Sequence, residues 1–271
     1  MSLAGATEPI RIVGVSFLNA CPLLAGLEAG VPAPFPYSFR TEEPADCGEQ
    51  LASGRAAAAL VPTAVLPAIP DVFAFPRLGV AARREVRSVL LISRVPLHDV
   101  RSLAAHTASR SSVILAQLLL AERWGSRPQV VPARPPLEAM LSVADAAVLI
   151  GDPALHAHGR TGLREVDLAG AWAEWTGLPF VFAVWGARST APAGLEALLE
   201  ASFGYSLERW RELLPRWAEA HAVEHEEARE YLERTLTHRL GEAERAGLHE
   251  FLRRSAAVGL VPERREVWRA V

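Results

Sequence analysis

Short apolar runs alternate with helical periodicity through the first two thirds of the chain. Residues 10–16 predict a strand, followed by a helix through 18–27 despite Pro22 in its first part. A short strand at 37–40, a helix at 45–53 closed near Gly54 and a buried strand at 57–61 come next, with a turn or helix starting at 63–66. The run VRSVLLIS at 86–93 is a stronger strand signal, and 103–106 predicts another ahead of a helix over 111–124. The strand, helix, strand rhythm returns at 130–131, 136–142 and 146–150. A turn or helix at 152–156, a helix at 168–175 and a buried strand within 179–187 complete this part. Such alternation predicts an α/β protein whose apolar strands are covered by helices on both sheet faces.

From residue 193 the pattern changes to helices rich in Glu and Arg, over 193–201, 206–220, 225–239 and 242–257. Glu226/Glu230 and Arg229/Glu233 have helix-face spacing and predict a solvated face, where an exposed pair contributes only about 0.2–0.5 kcal/mol. No internal repeat stands out, and no linker divides the chain into two contiguous domains. A bilobal fold can cross between lobes through one strand and return through a second. The segments 86–93 and 180–187 are the candidates for those crossings.

The length, 271 residues, corresponds to about two domains at roughly 150 residues each. The 28 basic residues, all arginine, nearly balance 31 acidic ones, so bulk charge supplies no attraction to nucleic acid or an anionic membrane. Without a single lysine, a P-loop, a Schiff-base enzyme and a Ser-Lys dyad are excluded. Cys21 and Cys47 are too few for a disulfide scaffold or a thiolate metal cluster. The first eleven residues carry no export-signal pattern, and no apolar segment is long enough to span a bilayer, so the expectation is a cytoplasmic protein.

Four places carry candidate chemistry. Asn19, where strand gives way to helix in GVSFLNACPLL (14–24), can serve a ligand with both ends of its amide or cap the turn. Neighbouring Cys21 reads as packing, since no sequence pattern supplies an activating histidine. Ser88 can place a hydroxyl beside the strand at 89–92, while Arg87 can meet an anion or solvent. Ser109, Ser111 and Ser112 surround a helix start whose free amides suit either anion binding or ordinary capping. Gly151 and Asp152 follow the apolar strand of AAVLIGDPAL: the glycine permits a tight turn, and the aspartate can cap it, orient a hydroxyl or act as a base. Arg134, beside Pro135 and Pro136, reads as a constrained surface connection, and Trp172–Trp175 as packing. His221-x-x-Glu224-His225 spells a zinc-protease motif, but in this Glu/Arg-rich setting it reads as a chance match on a solvated helix. His156 and His158 carry no metal-site spacing either.

These blocks, in order, resemble the chorismate dehydratase family of the futalosine route to menaquinone. The resemblance runs through GVSFLNACPLL, AALVPTAVL (58–66), VRSVLLIS, SRSSVILAQLLL (109–120), AAVLIGDPAL (146–155) and WAEWTGLPFVFAVW (172–185). It implies a two-lobed fold similar to type II periplasmic binding proteins, with an active-site cleft between the lobes. Residues of about 1–90 and 183–271 would form one lobe around an inserted second lobe of 91–182. It further implies elimination of water from chorismate to give 3-[(1-carboxyvinyl)oxy]benzoate without cofactor or metal. Asn19 and Ser88 are the implied active-site residues, with Ser111 and Ser112 as anion donors, Gly151 as a substrate-binding position and Asp152 as a weaker acid/base or orienting candidate. The enolpyruvyl carboxylate can itself act as the base.

A sister family, 1,4-dihydroxy-6-naphthoate synthase, carries a histidine in an L-I-H-E-like turn; here the run is Leu149-Ile150-Gly151-Asp152. Phe17 stands where a tyrosine is often found, and SRSS replaces the more familiar S-x-T-S. The other alternative is a noncatalytic binding protein for small carboxylates. Chorismate is the expected partner, with no nucleic acid and no membrane; sequence leaves the oligomeric state open.

Overall fold

The computed structural model describes residues 8–106, 110–263 and 266–268. In chain order these form β1 (Ile10–Val15), α1 (Cys21–Glu28), β2 (Tyr37–Glu42), α2 (Pro44–Ala52), β3 (Ala58–Pro62) and β4 (Val72–Ala82). Then come β5 (Val89–Ser93), β6 (Ser102–His106), α3 (Arg110–Trp124), β7 (Gln129–Ala133), α4 (Leu137–Val143), β8 (Ala146–Ile150), α5 (Asp152–Ala157), β9 (Arg164–Asp167) and α6 (Leu168–Thr176). The return contributes β10 (Phe180–Arg188), α7 (Leu195–Glu208), α8 (Trp210–Ala220), α9 (His225–Glu230), β11 (Leu236–Arg239) and α10 (Glu242–Ala257). Among the described residues no helix is long and apolar enough to cross a membrane.

Two sheets result, ordered β11-β4-β10-β3-β1-β2 and β7-β6-β8-β5-β9. Central strands β3, β5 and β8 are buried along their whole length, whereas edge strands β2 and β7 keep solvent-facing positions, as sequence periodicity requires. In the first sheet β1 runs parallel to β2 and β3, while β10 runs antiparallel to β3 and β4. The second sheet repeats this plan: β6 is parallel to β7 and β8, and β5 is antiparallel to β8 and β9. Strands β10 and β5 are each the first one laid down after the chain changes sheets, and β11 adds a further antiparallel strand beside β4. The protein is a two-lobed α/β fold of the type II periplasmic-binding-protein kind.

The two passages between sheets lie side by side where they join the first sheet, since Ala82 at the end of β4 pairs with Phe180 at the start of β10. Asp167 ties the outgoing passage to α6: its carboxylate accepts N–H bonds from Val86 at 2.8 Å and Arg87 at 2.6 Å, while capping α6 through Gly170 at 2.9 Å. Burial raises its pKa in spite of these three donors.

Several elements differ from the sequence expectation. The helix expected over 225–239 is only α9, followed by a π-helical turn at Tyr231–Thr235 and then β11, which pairs with β4. Sheet pairing outweighs helix periodicity there. The helix over 206–220 divides near Arg209 into the end of α7 and α8. Strand β4 was hidden by Pro76 and Gly79, turn-type residues that fall where the register against β10 shifts between Ala74 and Gly79. The short polar strand β9 has no apolar run to announce it.

Candidate active site

The carboxyl ends of β1, β3 and β8 meet the start of α3 around a cavity of about 50 Å³. Phe17, Asn19, Ser112 and Gly151 line it, together with aliphatic and aromatic residues such as Val89 and Phe182. Among the described residues on this wall none is ionisable. Gly151 needs to be glycine for two reasons. Its φ of 66° and ψ of −148° belong to a region that side-chain-bearing residues avoid, and a Cβ would lie 2.8 Å from the Phe17 ring.

Asn19 and Ser88 come together beside this cavity through a residue the sequence did not single out. The Tyr231 hydroxyl donates to Ser88 Oγ at 2.5 Å and also lies within hydrogen-bond reach of the Asn19 side chain. Ser88 is wholly buried, and its carbonyl accepts the Gly151 N–H at 2.8 Å. Burial pushes the Tyr231 phenol far above its ordinary range, so it remains a proton-bearing donor. Asn19 is held from behind by His238, whose Nε2 lies 2.7 Å from the Asn19 carbonyl oxygen. Burial drives the His238 pKa down to about 4; the ring is neutral and donates from Nε2.

Asp152 points elsewhere. Oδ1 accepts the Leu18 N–H at 3.1 Å and Oδ2 meets His221 Nδ1 at 2.7 Å. His221 Nε2 in turn lies 3.4 Å from Cys21 Sγ, so the fold supplies the histidine that the sequence pattern lacked. Desolvation, with Glu28 and Asp152 adding to it, nevertheless raises the Cys21 pKa strongly, and the thiol stays protonated and inert as a nucleophile. The zinc-protease spelling dissolves: His221 ends α8, Glu224 caps α9 and His225 begins it, so no single helix carries both histidines, and His221 is not on a solvated face.

Ser111 also faces away from the cavity. Thr63 Oγ1 donates to Val181 O at 2.9 Å, so across the 3.2 Å contact Ser111 must donate to Thr63. Ser111 Oγ also accepts the Ala64 N–H at 3.1 Å. With its only proton directed at Thr63, the Ser111 hydroxyl has none left for an anion. Ser109 lies outside the described residues. Arg87, at φ 64° and partly exposed, pairs with the protein's own carboxylates, Glu227 at 3.5 Å and Glu230 at 3.1 Å. Arg134 reaches across the cleft to Glu43 at 3.5 Å. Trp172 is packing, fully buried with its indole N–H on Pro179 O.

Tyr231 and His238 were missed, and His221 was read as a chance match, because they sit in the Glu/Arg-rich return segment, where every local signal is that of a solvated helix. His106 was missed as well. It closes β6 with Nδ1 buried and without a partner among the described residues, and burial with the Arg134 charge lowers its pKa to about 4.

Known proteins share both sequence and fold with this chain. A chorismate dehydratase of Thermus thermophilus is 37% identical over 145 residues, covering 46% of this chain and 53% of the relative. One from Campylobacter jejuni is 28% identical over 116 residues, covering 43% and 52%. The matches thus span about half the length of these curated relatives. Among solved structures, protein AF1704 of Archaeoglobus fulgidus superposes with a TM-score of 0.76 at 14% identity, over 94% of this chain and 99% of that one. The alkanesulfonate-binding protein SsuA of Xanthomonas axonopodis pv. citri, bound to MOPS, gives 0.68 at 14% identity, over 98% and 100%. A family model described as menaquinone biosynthesis matches residues 10–257. The chain therefore belongs to this menaquinone-biosynthesis family.

Proposed function

We propose that the protein is a chorismate dehydratase, eliminating water from chorismate to give 3-[(1-carboxyvinyl)oxy]benzoate in the cytoplasm. The observation that carries this reading is a cavity wall without an ionisable group, on which Asn19 stands beside the buried Ser88–Tyr231 pair. Elimination needs a base for the ring proton and a donor for the departing hydroxyl. With no carboxylate, histidine or arginine on the described wall, the substrate's own enolpyruvyl carboxylate is the base that the site best accommodates. Ser88 and Asn19 then serve the leaving hydroxyl, while Ser112 and the start of α3 receive a carboxylate. Asp152 supports the turn through Leu18 and His221. Gly151, under the Phe17 ring, leaves no room for the histidine of the sister synthase, which argues for the dehydratase.

The present cavity is far below the roughly 300–1,000 Å³ of small-molecule sites, so substrate enters a more open form. We further propose that the two sheets are the cores of two lobes, about 1–90 with 183–271 and 91–182. The strand ends Ala82, Val89 and Phe180 support passages between them at 83–88 and 177–179. Incubation with chorismate and mass analysis of the product tests the reading, the expected result being loss of one water. Chorismate bound but unchanged would identify a noncatalytic carboxylate-binding protein. An analogue with the enolpyruvyl carboxylate neutralised should bind yet fail to react, and turnover at the normal bound-state rate would move the base to the protein.

A further inference from the structure

We infer that Tyr231 is a positioning residue for this reaction, orienting Ser88 so that the serine proton points at the departing hydroxyl of the substrate. The inference rests on the dehydratase reading and extends it to a residue in the return segment.

The argument is one of hydrogen-bond direction. A serine hydroxyl has one proton and two acceptor sites. Tyr231, fully buried, gives its only proton to Ser88 Oγ at 2.5 Å. The Asn19 side chain lies near the phenol and favours its ionised form. Donation therefore runs from Tyr231 to Ser88. Among the described residues Ser88 Oγ donates to no acceptor, so its proton remains for a group in the cleft. Without Tyr231 the Ser88 hydroxyl would be free to rotate, and its proton would be shared among orientations.

The surroundings hold the phenol at that point. Tyr231 opens the π-helical turn at Tyr231–Thr235, a local widening that often marks a functional position. The preceding residue, Glu230, and Glu227 one turn earlier both grip the guanidinium of Arg87, the chain neighbour of Ser88. Arg87 is itself fixed in a left-handed conformation by the Asp167 carboxylate on its N–H. Ser88 and the tyrosine that orients it are thus tied together through backbone and ion pairs. Burial, with Asp152 and Asp167 nearby, opposes ionisation of the phenol, so Tyr231 keeps its proton.

Tyr231→Phe, Ser88→Ala and the double variant test this, with chorismate as substrate. Tyr231→Phe should lower kcat by roughly 10–100-fold with KM little changed. The double variant should be no slower than the slower single one, and the pH profile of kcat should keep its shape in Tyr231→Phe. A slowly exchanging phenol hydroxyl proton should appear in the NMR spectrum, vanish in Tyr231→Phe and move in Ser88→Ala. Wild-type kcat in Tyr231→Phe, or independent losses that multiply in the double variant, would overturn the inference. Absence of turnover in the wild-type protein would instead defeat the dehydratase reading. The hydroxyl resonance, read on the same samples, would still decide whether Tyr231 holds Ser88.

Discussion

Acidification should cost this protein stability through His238, the ring that supports the Asn19 carbonyl. Burial lowers its pKa from 6.5 to about 4, which corresponds to about 3 kcal/mol at 1.36 kcal/mol per unit. The folded pKa is the depressed one, so between pH 6.5 and 4 the unfolded chain takes up a proton that the folded ring refuses. Stability is therefore complete above about pH 6.5 and is lost as pH falls, by at most about 1.4 kcal/mol per pH unit for this group. Against a typical total of about 5–15 kcal/mol, that is a large share. Urea unfolding followed by tryptophan fluorescence, at steps from pH 7.5 to 4.5, measures it in wild type and in His238→Gln. Glutamine offers an N–H donor but does not titrate, and His106 is present in both proteins. The wild type should lose about 2–3 kcal/mol relative to the variant over this range. Parallel curves would refute the argument, because the buried ring would then not be resisting its proton.

Gly151→Ala should destabilise by roughly 1–3 kcal/mol through its φ and displace Phe17, with turnover falling alongside; thermal unfolding and a rate assay check both. Gly26→Ala separates helix propensity from packing. Propensity alone predicts a gain of about 1 kcal/mol, but a Cβ would stand 2.4 Å from Ser202 Cα, so the measured Tm should fall. Asp167→Asn leaves one N–H among Val86, Arg87 and Gly170 facing an amide donor and should cost roughly 1–3 kcal/mol by urea unfolding. Asn19→Ala should reduce kcat more than it reduces the urea midpoint, and unchanged kinetics would remove Asn19 from the site.

What was legible in the sequence followed from local rules. The central strands announced themselves because burial on both faces demands continuous apolar runs, and Asn19, Ser112 and Gly151 because they follow such strands or open a helix. Sheet partners 60 or more residues apart leave no such trace. Strand β11 is built from Thr and His in a Glu/Arg-rich stretch, and only its pairing with β4 makes it a strand. Asp152 looked like an acid or a cap because its partners, Leu18 and His221, are 134 and 69 residues away. Tyr231 reaches Ser88 across 143 residues, and nothing local distinguishes it from the solvated helix on which it was expected. Arg87 shows the same limit, since its choice of Glu227 and Glu230 depends on how the return segment docks.

The shared strand order of the two sheets gives the molecule an internal dyad, under which β1 corresponds to β6 and β3 to β8. The bond from Leu18 to Asp152 joins the ends of β1 and β8, and the bond from Ala64 to Ser111 joins the ends of β3 and β6. These two contacts are therefore mates, placed on opposite sides of the paired crossing strands. A body fixed on another at three non-collinear places has no rotation left, and one fixed at two keeps a single pivot. The crossing and the two mated bonds are three such places. Releasing one mate alone would not free the halves, because Asp152 also meets His221 and Arg134 meets Glu43 across the same divide. Symmetrical opening, which exposes both strand-end turns at once, requires these contacts to let go together.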